Sequence, residues 1–224
     1  MEPLKTTSLI HAINFWINYE RLCKRSALFS EKYLSVPIGE YLIGHYGKSA
    51  QIEHYYKYAS GSGKNKVRGF LIDYVVVENK KIKIAIETKW AQTKYNVDRI
   101  FKDLFRLSIV KHRNPDCECY FIMAGKKSDL YELINEVNAQ NIELTKKNTI
   151  LPQRKDRKWM IEDALLKGEK EILDKSLIGI DRDFLPKVQW VIPIIPRIKN
   201  LSGNEIKVLA WEVSKNCRIT SESN

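Results

Sequence analysis

Two carboxylates lie inside apolar, strand-like runs of this sequence, where a charged side chain is costly to bury. Asp73 interrupts the run 68–77, and Glu87 falls near the end of the run 81–90. Carboxylates in such positions need a cation or a hydrogen-bonding partner to offset the loss of water. The two acids are therefore candidates for binding a cation.

The length of the turn between the two runs decides whether the two acids meet. A three-residue loop over 79–81 sets Asp73 directly opposite Glu87 in a hairpin, with β-carbons about 5 Å apart. A two-residue turn at Asn79 and Lys80 sets Asp73 opposite Ile86 and places the acids on different faces. The apolar pattern is compatible with either register.

Lys89 joins the two acids in the first register, because strand side chains alternate and Lys89 shares the face of Glu87. The opposite face is predicted to carry Ile72, Tyr74, Val76, Ile84, Ile86 and Thr88. Converging carboxylates favour a hard divalent ion such as Mg²⁺, and a neighbouring lysine can stabilise charge on a phosphoryl group or hold an attacking water. These residue types are typical of metal-assisted phosphodiester hydrolysis. The competing interpretation is a solvated sheet face on which the acids pair with Lys83 and Lys89.

The rest of the chain predicts an α/β fold with mixed strand directions. Apolar residues recur at helical spacing in five segments, which are 7–25, 37–46, 97–107, 128–141 and 159–174, with Ser128 as an N-cap. Strand-like patterns occupy 51–58, 68–77, 81–90, 117–126, 188–195 and 206–213. No repeat or long linker separates them, so a single domain over 1–224 is expected.

Composition narrows the class of protein. The chain has 224 residues, 44% hydrophobic and 29% charged, which suits one well-formed core rather than a disordered segment. It has no apolar run near the roughly 20 residues of a membrane helix, and its first residues lack a signal-peptide pattern. We therefore expect a cytoplasmic protein with no membrane partner.

The formal net charge of +11 predicts attraction to phosphate polyanions. Candidate contacts are the basic residues before the hairpin, the basic stripe that follows it, and one tryptophan, namely Lys64, Lys66, Arg68, Arg99, Lys102, Arg106 and Trp90. An acidic protein or an anionic membrane would respond to the same field.

Other catalytic motifs are missing from the sequence. Cys117 and Cys119 are too close for a zinc pair, so the four cysteines are predicted to be reduced, buried thiols. The four histidines show no HExxH spacing, and no P-loop, GxGxxG or GxSxG motif is present. Zinc hydrolysis, NTPase, dinucleotide and α/β-hydrolase chemistry thus have no support.

Asp73 followed by Glu87-Thr88-Lys89 on the next strand resembles the signature of the PD-(D/E)xK nucleases, the restriction-endonuclease-like superfamily. The resemblance covers about residues 30–125, with 126–224 as a C-terminal elaboration of one helix and a β-hairpin. It implies an αβββαβ core in which a mixed central sheet is flanked by helices. It also implies Asp73, Glu87 and the Thr88 carbonyl as ligands of Mg²⁺, or of Mn²⁺ as a substitute, and Lys89 as the catalytic lysine.

The same resemblance implies a further glutamate from the helix before the first strand. Glu40 lies inside that helix and is preferred, with Glu31 as the alternative. The run from Asp103 to Leu107 is similar to a D-(I/L)-x-(R/K)-L run on the following helix of several such families.

The resemblance implies a DNA endonuclease, with a role in prokaryotic defence against phages and foreign DNA. A homodimer formed by the late strands, or a defence-system partner protein, is the expected assembly. Two alternatives are a non-catalytic nucleic-acid-binding or scaffold protein that keeps the fold, and an RNA nuclease.

Overall fold

The computed structural model describes residues 3–59, 67–92, 97–139, 151, 159–160, 190–194 and 206–215. In this part of the chain, four α-helices alternate with strands of a single mixed sheet. The helices are α1 (Thr6–Leu22), α2 (Ser35–Tyr46), α3 (Val97–Arg113) and α4 (Lys127–Ala139). The strands are β1 (Ala50–Ala59), β2 (Val67–Glu78), β3 (Lys81–Ala91), β4 (Glu118–Lys126), the two-residue β5 (Trp159–Met160), β6 (Trp190–Ile194) and β7 (Ile206–Ser214).

The sheet has the strand order β1-β2-β3-β4-β7-β6-β5. Strands β1, β2 and β3 are antiparallel neighbours, whereas β3 and β4 run parallel. Parallel neighbours need a crossover connection, and α3 lies between them in the chain. The predicted α/β class with mixed strand directions is confirmed.

Helices cover both faces of the sheet and define two apolar clusters. Helices α1 and α2 pack on one face, against residues such as Tyr74, Ile84 and Ile122. Helices α3 and α4 pack on the other face, against residues such as Val75 and Phe121. Because β3 and β4 are covered on both sides, almost all of their side chains are buried.

The β2–β3 connection is a two-residue turn, which is the shorter of the two alternatives. Glu78 pairs with Lys81, and both Asn79 and Lys80 have positive φ, at 51° and 60°. Positive φ at both central residues is the geometry of a type I′ hairpin turn.

A β-bulge then changes the register that this turn would impose. Val77 pairs with Ile82, but Val76 pairs with Ile84, so β3 has one extra residue at Lys83. Past the bulge Tyr74 pairs with Ile86, and continuing that register sets Asp73 opposite Glu87. The predicted meeting of the two acids is therefore reached through a shorter turn and a bulge, rather than through a three-residue loop.

The side-chain alternation of β2 breaks at Asp73. Ile72 belongs to the cluster under α3 and α4, whereas Tyr74 and Val76 belong to the cluster under α1 and α2. The assignment of Ile72 to the same face as Tyr74 was therefore wrong. The neighbouring residue of β1, Glu53, has a φ of 53°, so β1 is also irregular at this level.

The predicted helix 159–174 is corrected at its start, because Trp159 and Met160 form β5 and pair with Val191 and Trp190. Residues 161–174 lie outside the described residues. Ser128 is not an N-cap either: α4 begins at Lys127, and the Ser128 hydroxyl donates to Asp129 Oδ1 at 2.8 Å.

The cysteine prediction holds for two of the three described residues. Cys117 and Cys119 are buried free thiols, whereas Cys23 is exposed at the end of α1. Cys217 lies outside the described residues. Across the described ranges, no helix is both long and apolar enough to cross a membrane.

Candidate functional site

The site begins where strands β2 and β3 stop pairing. Their ladder ends at Tyr74 and Ile86, and the next residue of each strand toward the site is an acid, Asp73 or Glu87. From Glu87 onward β3 continues its pairing with β4, while β2 continues with β1. The two strands thus stop pairing with each other at the level of the acids.

Asp73 turns its carboxylate toward β3 in place of a backbone pair. Its Oδ2 accepts hydrogen bonds from the backbone N–H and from the hydroxyl of Thr88, each at 2.8 Å. These two bonds orient one carboxylate oxygen and leave Oδ1 for another partner.

Glu87 has the most costly position in the site. Its side chain is fully buried, and neither of its oxygens has a hydrogen-bond partner within the described residues. Among the described residues the nearest cation is Arg106, whose Nη1 lies 3.7 Å from Oε1. Burial raises the pKa of Glu87 well above its ordinary value of 4.5, and the charges of Asp103 and Asp73 raise it further. A buried carboxylate this poorly compensated is stabilised by a closely bound cation.

Lys89 points into the same buried region and is held by three groups. Its Nζ lies 2.8 Å from Asp103 Oδ2 and 3.1 Å from Glu31 Oε1, and it donates to the Thr88 carbonyl at 3.2 Å. Burial alone lowers the pKa of Lys89, but the charges of Asp103 and Glu31 outweigh that effect and raise it. Lys89 is therefore charged at neutral pH.

Helix α3 supplies the second wall of the site through Asp103 and Arg106. The two residues are one turn apart, and Arg106 Nη1 donates to Asp103 Oδ1 at 3.1 Å. Burial raises the pKa of Asp103 to about 6, although Lys89 and Arg106 oppose that shift. The Arg106 guanidinium also lies 5.8 Å from the centre of the Phe70 ring, which helps to fix its position.

The structure places Glu31, and not Glu40, against Lys89. Glu31 belongs to the turn before α2, and its carboxylate reaches Nζ although it remains about one third exposed. Glu40 is exposed on α2 and forms no ion pair with Lys89. The preference for Glu40 followed from its place inside the helix, but here the preceding turn lies closer to the lysine.

The alternative of a solvated sheet face does not fit the placement of these residues. Glu87 is inaccessible to solvent and Lys89 is only 7% exposed. The cation partner of Glu87 is Arg106 from α3, not Lys83, which lies in the bulge.

The proposed nucleic-acid contacts fall into different environments. Arg99 is exposed on α3 and Lys102 is partly buried, with its pKa lowered by burial and by Arg106. Trp90 is a core residue that packs on Phe29, with ring centroids 5.4 Å apart and 6% exposure, so it offers little surface for a base. Lys64 and Lys66 lie outside the described residues, as does the side chain of Arg68.

Few protein ligands are present for a metal ion. Among the described residues, no group of three or more His, Cys, Asp and Glu side chains is arranged to hold a metal. Mg²⁺ is commonly bound through one or two carboxylates, with waters and substrate phosphates in the remaining positions. Asp73 Oδ1 and the unpartnered oxygens of Glu87 are suited to supply those one or two carboxylate ligands, with the Thr88 carbonyl beside them.

Asp103 is the residue that the sequence reasoning did not assign to the site. The signal was present in the run from Asp103 to Leu107, since an acid and a base three residues apart share one face of a helix. The packing of α3 against β3 was needed to show that this face meets Glu87 and Lys89.

Comparisons with protein-family models, with curated proteins and with solved structures find no match to this chain.

Proposed function

We propose that this protein is a Mg²⁺-dependent nuclease of the PD-(D/E)xK type that hydrolyses phosphodiester bonds in DNA. The observation that carries the proposal is Glu87, a fully buried carboxylate without a hydrogen-bond partner in the described part of the chain. It lies beside Asp73 where two paired strands separate, with Lys89 on its own face. A carboxylate buried in this state either takes up a proton or binds a cation, and we infer that Glu87 binds a cation.

The order of elements around the site also supports this class. Helix α2 is followed by β1, β2 and β3, then by α3 and β4. This order agrees with the αβββαβ core that the motif resemblance implies. Fold-level agreement by itself does not establish an activity, so the proposal depends on the side chains.

In the proposed reaction Asp73 and Glu87 would hold the ion, and the Thr88 carbonyl would add a neutral oxygen. The bound ion would polarise the scissile phosphate and lower the cost of forming hydroxide from water. Lys89 carries a positive charge 3.2 Å from the Thr88 carbonyl, where it can stabilise negative charge on the phosphoryl group or orient the attacking water.

The net charge supports a polyanionic substrate. The chain carries a formal net charge of +11, and Arg99 and Lys102 lie on the helix that also supplies Arg106 to the site. A polyanion that follows α3 would bring its backbone close to Glu87 and Lys89. A role in prokaryotic defence against foreign DNA is the biological setting that we propose.

The test is cleavage of plasmid and single-stranded DNA by the purified protein. Mg²⁺ is expected to support cleavage and EDTA to abolish it, while Lys89→Ala and Glu87→Gln are expected to lower the rate by at least about 100-fold. Lys126→Ala, an exposed lysine at the end of β4, is the matched control and should cut normally.

Different outcomes separate the alternatives. DNA binding without cleavage in Mg²⁺ or Mn²⁺ would support a non-catalytic nucleic-acid-binding protein. Cleavage of RNA but not of DNA by the parent, lost in Lys89→Ala, would keep the mechanism and change the substrate.

A further inference from the structure

Four charged residues, two from one turn of α3 and two from alternate positions of β3, lie close enough to form ion pairs. Glu87 and Lys89 are two residues apart on β3, and Asp103 and Arg106 are three residues apart on α3. Alternate residues of a strand lie roughly 7 Å apart on one face, and residues one helical turn apart lie about 5–6 Å apart. The spacing of the two helix residues is therefore similar to the spacing of the two strand residues. Each strand residue lies near a helix residue of opposite charge, Glu87 near Arg106 and Lys89 near Asp103.

Asp103 is the member that joins the set, because its two oxygens serve different cations. Oδ2 lies 2.8 Å from Lys89 Nζ, and Oδ1 accepts from Arg106 Nη1 at 3.1 Å. The Asp103 side chain is only 4% exposed, so water does little to compete for these contacts. Arg106 in turn is the closest cation to Glu87 in the described part of the chain.

We propose that Asp103 is the positioning residue of the site, which holds Lys89 and Arg106 at fixed places beside Glu87. This inference rests on the proposed nuclease function for its kinetic consequences but not for its structural ones. Asp103 contacts Lys89 and Arg106 directly, and it affects Glu87 through Arg106 and through its own negative charge.

Loss of the Asp103 charge has a specific geometric consequence. An asparagine there presents one acceptor and one donor, so it can accept a bond from one cation while its amide nitrogen faces the other. Lys89 would keep only Glu31, which is partly exposed, and the Thr88 carbonyl. A flexible lysine with those two partners can leave its position, and a misplacement of about 1 Å at a reacting centre can cost about 100-fold in rate.

The kinetic test compares Asp103→Asn and Asp103→Glu with Asp98→Asn, a matched change in the first turn of the same helix. In steady-state assays with Mg²⁺, Asp103→Asn is expected to lower kcat by about 10–100-fold with KM for DNA unchanged. Asp103→Glu should recover part of the rate because it restores the charge, and Asp98→Asn should cut like the parent.

A double variant tests whether Asp103 acts through Lys89. In a Lys89→Met background, adding Asp103→Asn should lower the residual rate by less than in the parent, since one of the two groups that Asp103 positions is already gone and only Arg106 remains. A further loss as large as in the parent background, or a rise in KM with kcat unchanged, would overturn the positioning role.

A structural readout separates this inference from the nuclease proposal. Crystal structures of the metal-free parent and of Asp103→Asn are expected to differ by about 1 Å or more at Lys89 Nζ. An unmoved Lys89 in the variant would overturn the inference even if the parent cuts DNA. A displaced Lys89 in the variant, together with a parent that cleaves DNA in neither Mg²⁺ nor Mn²⁺, would support positioning and overturn the nuclease function instead.

Discussion

Glu87 is a side chain whose burial destabilises the fold and which the proposed function uses to bind an ion. Its carboxylate is fully buried, and Arg106, the nearest cation among the described residues, lies beyond hydrogen-bonding distance at 3.7 Å. Burying a charge without a close partner costs free energy, which an uncharged residue of the same shape would avoid. Under the proposed function, stability and chemistry make opposite demands at this position.

Glu87→Gln is therefore expected to stabilise the metal-free protein at pH 8. Removing the buried charge should raise the free energy of unfolding, because the burial that raises the pKa of this carboxyl disfavours its charged form in the folded state. The same change should abolish any rise in Tm caused by Mg²⁺. Thermal melts with and without the ion provide the measurement.

The control for this prediction is Glu78→Gln, at the half-exposed position before the hairpin turn. It should change the free energy of unfolding by less than about 0.5 kcal/mol. A Glu87→Gln protein that melts lower than the parent without metal would show that Arg106 compensates the charge well enough.

The stability gap between parent and Glu87→Gln should depend on pH. The folded-state pKa of Glu87 lies above its ordinary value of 4.5, so the unfolded chain releases this proton first as the pH rises. Folding then takes up a proton, and the contribution of Glu87 to stability falls from about pH 4.5 up to its folded-state pKa. Metal-free melts from pH 5 to 8 should show the variant gaining over the parent. A gap that shrinks toward pH 8 would contradict the direction of the shift.

At the scale of elements, the turn and the bulge between β2 and β3 act together. The two-residue turn alone would set Asp73 opposite Ile86, and the extra residue at Lys83 restores the match with Glu87. Each feature shifts the pairing by one residue in opposite directions, so the site depends on both.

Lys80→Gly tests the geometry of this turn. Lys80 has a φ of 60°, where a residue with a β-carbon is strained and glycine is not. The substitution is expected to raise the free energy of unfolding by about 0.5–1 kcal/mol, as an Asn-Gly pair favours this turn type. Chemical denaturation of both proteins measures the change.

Lys81→Gly is the matched control for this turn, since Lys81 is exposed and is the first residue of β3. A glycine there loses backbone entropy without relieving strain, so it should destabilise the protein. Destabilisation by Lys80→Gly as well would mean that the turn in solution does not have two residues of positive φ.

At the scale of the whole molecule, the late strands complete the sheet rather than form a free edge. Strand β7 lies between β4 and β6, and the buried residues of β6 and β7 contribute to the two clusters of the core. The expectation that these strands expose apolar residues for a dimer is therefore corrected for β7. The terminal strands of the sheet are β1 and β5. A homodimer stays a prediction, now without that argument.

The net charge predicts salt-dependent binding of DNA. The affinity of the parent should fall steeply with salt concentration, and the double variant Arg99→Gln, Lys102→Gln should lower the slope of log K against log salt by about 1–2. Fluorescence anisotropy with Ca²⁺ in place of Mg²⁺ measures binding without cleavage. Lys48→Gln, an exposed residue in the turn after α2, serves as the control. An unchanged slope in the double variant would remove α3 from the contact surface.

The sequence by itself determined most of the elements and the choice of Asp73, Glu87 and Lys89. Local spacing carries that information, since apolar residues at period two or at helical spacing identify strands and helices. The strands 51–58, 68–77 and 81–90 and the helix 97–107 all agree with the observed β1, β2, β3 and α3 to within a few residues, apart from a longer C-terminal end of α3.

Only the tertiary structure decided how the acids meet and which residues surround them. The bulge at Lys83, the break in alternation at Asp73, and the contacts of Glu31 and Asp103 with Lys89 all depend on residues distant in sequence. Packing of α3 against β3 and of the turn before α2 against Lys89 selects these contacts. Pairing and burial are properties of the assembled sheet and its helices, so no local pattern in the chain encodes them.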